Sequence, residues 1–567
     1  PRTFSVMRTV VVFIMNYLLT ILIVVVVVLC FSKSSSQYGA VSTITLDIPN
    51  QGTIQGDYET TLWSQQTFMR FRGIPFAESP RGPLRFKPPI KRLPWRHVFD
   101  ATTYGRRCPV ITTVSQLSDT ELKQDLEDCL NLCVYTKNLT AEMPVMFYIY
   151  GGGFYNGSNI DHPPRHLLEK DVVLVVPNYR IGALGWLSTL NEDMPGNAPV
   201  GDLLLALQWV QEYIHLFGGD PKQVTIFGQS AGAAMSGALL FSPNTPHEYF
   251  QRSIVQSGSI FGTWAINREP LQQVQRICSA LECEKCESKD ELYECLSSVK
   301  VPKLLEVTES ESFSPIVGDV YGILPHDPER LLKNFNRSIP LMTGFTKHDG
   351  SFVLASYYDR MKSHTENLNT VTVRDFAKGL LEMTNDGSGL SKNLLTKLLF
   401  TKDMLDSNDH KNATPAYFDL TNIVFMKSPV LTLAKNMLYK NLAPVYLYSF
   451  DYEGSNTRFG YEFGNAHYPF EGGVHHSNDN IYLFSTHHLN DEDTKMAMKM
   501  VELWTSFASE GKPKIQNDID ILPMKTDSGP YFRINCDITL SHDVYDELTI
   551  TIDDPNNERL IRKDVEF

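Results

Sequence analysis

The stretch that most constrains this chain is GQSAG, Gly228 to Gly232, with Ser230 at its centre. It follows the apolar run Val224 to Phe227 and precedes the small-residue run Ala231 to Leu240, which predicts a strand, a tight turn and a helix in succession. Glycines on both sides of the serine let the backbone turn sharply without a Cβ clash and lift the hydroxyl above a sheet at a helix N-terminus. That is the geometry of a nucleophile elbow. So short a pattern also marks ordinary glycine turns, and its surroundings decide between the two.

The surroundings are those of a parallel sheet. Val145 to Tyr150 is an apolar run ending at Gly151, Gly152 and Gly153, and Val172 to Val176 is rich in β-branched residues, so both predict buried strands. Between them and the elbow, Leu203, Leu207, Val210, Ile214 and Phe217 keep helical spacing up to Gly218 and Gly219. Strands alternating with helices place ligands at the carboxyl ends of the strands. Beyond Phe250 only two helices stand out, Pro270 to Ala280 and Met496 to Ala508.

A serine hydroxyl needs a general base within hydrogen-bond reach, and the base needs an acid to fix its tautomer. In hydrolases built on an elbow the chain order is serine, acid, histidine. GFTKHDGSF, Gly344 to Phe352, follows the apolar Ile339 to Met342 and offers Asp349; GVHHSNDNIYLF, Gly473 to Phe484, offers His475 and His476. Backbone N–H groups at the glycine triplet and at Ala231 can receive a developing oxyanion. Each piece has a bland reading alone, as a flexible loop, a turn or a solvated histidine. Together in this order, with the glycine triplet, the serine and the aspartate each after a strand-like run, they point to acyl transfer.

At 567 residues and 42% hydrophobic composition the chain can bury a large core. No linker, low-complexity tract or repeat divides it, which predicts one catalytic domain over 37–567 behind a leader at 1–36. In the leader, Arg2 and Arg8 accompany an apolar run from Val10 to Phe31, interrupted by Asn16 and Thr20, before the polar Ser32 to Gln37. It reads as a secretory signal, with an uncleaved membrane anchor as the alternative; a membrane is a partner only in the second case. The net charge of −14 and the absence of a basic cluster argue against nucleic acid.

Nine cysteines suit an exported chain. With Cys30 in the leader, Cys108, Cys129, Cys133, Cys278, Cys283, Cys286, Cys295 and Cys536 remain, an even number for pairing. A Cys108 to Cys129 bridge would close the polar loop between them. Irregular spacing from Cys278 to Cys295 favours disulfides over zinc, so no metal is expected. Sequons at Asn138, Asn336 and Asn412 fit glycosylation, and a fourth at Asn156 lies beside the proposed site.

With these residues in order, the chain resembles the type-B carboxylesterase and cholinesterase family of α/β-hydrolases. The likeness runs from near Thr67 to near Pro513 and is carried by RGIPFAESPRGPLRF, EDCLNL, YIYGGGFYNGS, FGGDPKQVTIFGQSAGA and GVHHSNDNIYLF. It implies the α/β-hydrolase fold, an α/β architecture whose central, mostly parallel sheet is flanked by helices. It implies Ser230 as nucleophile, Asp349 as acid and His476 as base, since His476 rather than His475 lies at the family's distance from Tyr482 and Phe484. It further implies Gly152, Gly153 and Ala231 as oxyanion donors, Cys108–Cys129 and Cys283–Cys295 as disulfides, and Trp264 as an acyl-pocket wall.

The implied activity is that of a secreted serine carboxylic-ester hydrolase working through an acyl-enzyme on a small-molecule ester, with no cofactor. Three departures qualify it. The family usually has glutamate where Asp349 stands, so this loop must sit closer to His476. Gln229 replaces the glutamate of cholinesterases, and the Cys108 to Cys129 loop has no tryptophan to stack on choline, which argues against a cholinesterase. GQSAG also resembles the elbow of juvenile hormone esterases, giving that substrate as an alternative. The other alternative is a membrane-anchored, non-catalytic adhesion or binding member of the family.

Overall fold

The computed structural model describes residues 42–365, 367–384, 389–464, 467–515, 519–565 and 567. The leader expected at 1–36, with Cys30, lies outside them. Thr45–Phe567 forms one compact unit, which carries the core of the sheet. Among the described residues no helix is long and apolar enough to cross a membrane.

Thirteen strands are described. In chain order they are β1 Thr43–Ile48, β2 Gly52–Thr60, β3 Thr67–Pro75, β4 Phe99–Asp100, β5 Asn131–Thr136, β6 Met143–Ile149 and β7 Val173–Pro177. There follow β8 Gly219–Gln229, β9 Arg252–Gln256, β10 Leu341–Thr346, β11 Val445–Phe450, β12 Tyr531–Ile534 and β13 Ile538–Ser541. They form one sheet in the order β1-β2-β3-β5-β7-β6-β8-β9-β10-β11-β12-β13, with β4 beside β2. From β7 to β12 every neighbouring pair is parallel, whereas β2·β3, β3·β5, β5·β7 and β12·β13 are antiparallel. This is the α/β-hydrolase fold.

Every residue of β5, β7, β10 and β11 is buried. Strands covered on both faces need apolar residues without alternation, which is why their sequences read as continuous runs. Because the central strands are parallel, their carboxyl ends share one edge of the sheet. The glycine triplet after β6, Ser230 after β8 and Asp349 after β10 are thereby gathered on that edge.

Helix Ala198–Tyr213, continued by the 3-10 turn Ile214–Phe217, and helix Pro270–Ala280 occupy the expected stretches. The helix expected from Met496 to Ala508 is longer, Asp491–Glu510, because the Asn490 side chain caps it by accepting from the Asp493 N–H. Beyond Phe250 the two-helix expectation is corrected: Ser351–His364, Val373–Glu382, His410–Thr421 and Ser428–Lys440 are also helical. In His410–Thr421 nearly every residue is buried, so no polar face reveals the period. A π-helical segment, Asn422–Lys427, joins that helix to the next.

Disulfides join Cys108 to Cys129, Cys278 to Cys286, and Cys283 to Cys295. The even number of cysteines does not pair completely: Cys133 is free and buried in β5, where burial pushes its thiol up to about 11, and Cys536 is free and exposed. Asn138, Asn336 and Asn412 are exposed, as is Asn156.

Candidate active site

Ser230 sits between β8 and helix Ala231–Phe241 with φ 59° and ψ −125°, a conformation that L residues rarely hold. The turn is this tight because its flanking residues have no side chains. A Cβ on Gly228 would stand 2.3 Å from the carbonyl oxygen of Gly232, and one on Gly232 would stand 2.0 Å from that of Ile149. The Ser230 N–H donates to the Gln256 carbonyl at 2.9 Å, fixing the elbow to β9.

The glycine triplet lies directly against the elbow. A Cβ on Gly151 would be 2.9 Å from the Cβ of Ser230. The backbone N–H groups of Gly152, Gly153 and Ala231 have no hydrogen-bond acceptor among the described residues. Three free donors beside one hydroxyl can receive negative charge on an oxygen bonded to the carbon under attack.

Asp349 and His476, 127 residues apart in sequence, meet through Asp349 Oδ1 and His476 Nδ1 at 2.6 Å. A carboxylate only accepts, so Nδ1 carries the proton and Nε2 is left with its lone pair. That lone pair accepts from the amide of Gln229, Nε2 to Nε2 at 3.1 Å. The residue before Ser230 therefore occupies the atom that would take a proton from Ser230, and the Ser230 hydroxyl itself has no hydrogen-bond partner among the described residues. Phe352 stacks on the His476 ring, centroids 4.5 Å apart. His475 turns elsewhere, its Nδ1 to the Ser351 hydroxyl and its Nε2 to Glu462 Oε2 at 3.5 Å.

The acid loop is held from below. The Gly350 N–H donates to Asn422 Oδ1 at 2.6 Å, and Asn422 Nδ2 donates to the Lys347 carbonyl at 3.4 Å. Trp264 leans on the same π-helical segment, its Nε1 donating to the Phe425 carbonyl at 2.8 Å, in an apolar cluster with Val353, Phe425, Met426 and Phe352. Asp479, buried nearby, accepts from Gln256 Nε2 at 2.9 Å and Tyr448 OH at 3.2 Å, and burial pushes its carboxyl up to about 6.

Gln229 as a partner of His476, Phe352 as its stacking neighbour and Asn422 as the support of Gly350 are not read from the sequence. Asn422 lies 72 residues from Gly350 and belongs to no motif, and only its seat in an irregular helix marks it. Phe352 ends the motif GFTKHDGSF three residues after Asp349, and that nearness is its one signal in the sequence.

A strand-to-helix serine elbow, an Asp–His pair and a glycine loop thus share one edge of a mostly parallel sheet of the α/β-hydrolase fold. The Carboxylesterase family matches residues 42–549. The chain belongs to that family, which supports ester hydrolysis as its class of chemistry. It is 31% identical over 501 residues to the juvenile hormone esterase of Tribolium castaneum, covering 82% of this chain and 83% of that protein. To the acetylcholinesterase of Electrophorus electricus it is 32% identical over 505 residues, 79% of this chain and 77% of the relative. To glutactin of Drosophila melanogaster it is 28% identical over 528 residues; the match takes in 88% of this chain and 50% of glutactin, so the chain spans about half the length of that relative.

Proposed function

We propose that the protein is a secreted serine carboxylic-ester hydrolase with a single catalytic domain over 37–567. Ser230 Oγ attacks the ester carbonyl carbon while His476 Nε2 takes its proton, and the carbonyl oxygen becomes an oxyanion facing the N–H groups of Gly152, Gly153 and Ala231. Collapse of the tetrahedral adduct expels the alcohol, which receives the proton from His476, and leaves the acyl group on Ser230. Water then adds with His476 again as base, and the carboxylic acid departs. Asp349 holds the ring and stabilises the imidazolium formed in each half. No cofactor takes part.

The observation that carries this reading is the Asp349–His476 hydrogen bond with Nε2 turned toward the residue adjoining Ser230. Ser230→Ala should reduce turnover of a small chromogenic ester to the uncatalysed background; undiminished hydrolysis by that variant would sink the assignment. Trp264 with the apolar cluster around it supports an acyl-pocket role, and the likeness to a juvenile hormone esterase makes that ester the first named substrate to assay. Exposure of Asn138, Asn336 and Asn412 supports their glycosylation during export.

One feature favours a second reading, that of a binding-only member: with Nε2 engaged by Gln229, Ser230 has no acceptor for its proton. Failure of the purified wild-type chain to hydrolyse acetate, butyrate, long-chain and methyl esters would select it. The N-terminus of the mature protein separates secretion from anchoring, since a cleaved leader leaves none of Val10 to Phe31 attached.

A further inference from the structure

Behind the Asp349–His476 pair, the acid loop and the base loop are stitched together on both flanks. His348, the residue before Asp349, pairs with the base loop: its N–H donates to the Val474 carbonyl at 3.0 Å, and its Nδ1 accepts from the Val474 N–H at 2.9 Å. The two strands of chain run parallel there, His348 opposite His475. This close approach needs Gly473, at φ +57°, because a Cβ in that place would stand 2.3 Å from His348 Nδ1. On the other flank Ser351, two residues after Asp349, bonds through its hydroxyl to His475 Nδ1. Glu462 Oε2 lies 3.5 Å from His475 Nε2, with no hydrogen bond between them. Arg458 in turn holds Glu462 Oε1 at 2.9 Å.

Ser351, His475 and Glu462 thus repeat, behind the active pair, the residue types of a serine, a histidine and an acid. Ser351 and His475 are fully buried, so their hydroxyl and ring meet no substrate. Their effect is mechanical. An aspartate carries its carboxylate on a single methylene, so it reaches an imidazole only if the two backbones are drawn close, and the stitches fall one residue before it and two residues after it.

We propose that Ser351 and His475 are positioning residues that draw the acid loop onto the base loop, and that Asp349 reaches His476 Nδ1 only because they do. This rests on the reading of Asp349 and His476 as the acid and base of ester hydrolysis. Loosening the stitch moves the carboxylate away from the ring, and a misplacement on the order of 1 Å costs a reaction roughly a hundredfold. A longer acid should then compensate.

The test is a double-mutant cycle on the full chain with a chromogenic ester, pairing Ser351→Ala with Asp349→Glu. Ser351→Ala should lower kcat by about tenfold to a hundredfold with KM little changed. Asp349→Glu should lower kcat in the wild-type background, where the gap is already closed, and raise it in the Ser351→Ala background. The strongly deshielded proton NMR signal of an Asp–His pair should weaken in Ser351→Ala and return in the double variant. Losses that simply multiply, or a proton signal indifferent to Ser351, would overturn the proposal. If Ser351→Ala does not fold, His475→Gln takes its place in the same cycle with the same expectations. Asp349→Asn separates the two levels: full activity there removes the underlying catalytic reading, whereas its loss together with an additive cycle removes only the stitch.

Discussion

Ser230 holds its half-buried place at the elbow in a backbone conformation that costs on the order of 1–3 kcal/mol, and the flanking glycines make that conformation sterically open. This much is legible in five letters, because the need for glycine on both sides is local. The choice between two adjacent histidines is also legible once motif spacing is used, and it is His476 that faces Asp349 while His475 faces Ser351 and Glu462. The engagement of His476 by Gln229 is not legible, because the two residues are 247 apart and the contact exists only after the sheet has formed. It carries its own consequence. A net hydrogen bond of about 1 kcal/mol must be given up before Nε2 can serve Ser230. Gln229→Met, which keeps the length and removes the donor, should therefore raise the acylation rate constant by about two- to tenfold in stopped-flow measurements. A rate unchanged or lowered by that variant would mean that the amide is not a competitor for the base.

At the level of elements, the central strands were readable, and of the helices beyond Phe250 only Pro270–Ala280 and the one over Met496–Ala508 were. β6, β7 and the Val224–Phe227 stretch of β8 are buried, largely apolar runs, whereas His410–Thr421 is buried on nearly all sides and shows no period. The helix–π–helix run from His410 to Lys440 matters to the site out of proportion to its sequence signal. Asn422 at the start of its π-helical segment holds Gly350, and Phe425 in the same segment holds Trp264. Asn422→Leu would leave the buried Gly350 N–H without an acceptor, at a cost of about 1–3 kcal/mol in unfolding free energy by urea denaturation, with kcat falling because Asp349 is the neighbouring residue. Unaltered stability and kcat would show that the segment does not support the acid loop.

Over the whole molecule, several buried titratable groups set the response to acid. Burial, reinforced by the charges of Lys347 and Lys427, holds the fully buried His348 neutral well below the ordinary histidine range. The unfolded chain protonates this ring below about pH 6.5, and the folded one does not. Its contribution to stability is thus complete above that pH and is lost as pH falls toward the folded value. Asp419, Asp451 and Asp479, pushed up to about 6 by burial, act in the opposite sense over the acid range, so the comparison must be made against a variant. His348→Gln should lose less unfolding free energy than the wild type on going from pH 7 to pH 5, and equal losses would contradict the assignment. The central claim, that Ser230 is made nucleophilic by His476 and Asp349, is tested most directly on the intact folded protein by a fluorophosphonate followed by peptide mass spectrometry. One stoichiometric adduct is expected on Ser230, abolished in His476→Ala; a folded wild-type protein that stays unlabelled, or is labelled at another residue, would show that Ser230 is not the activated nucleophile.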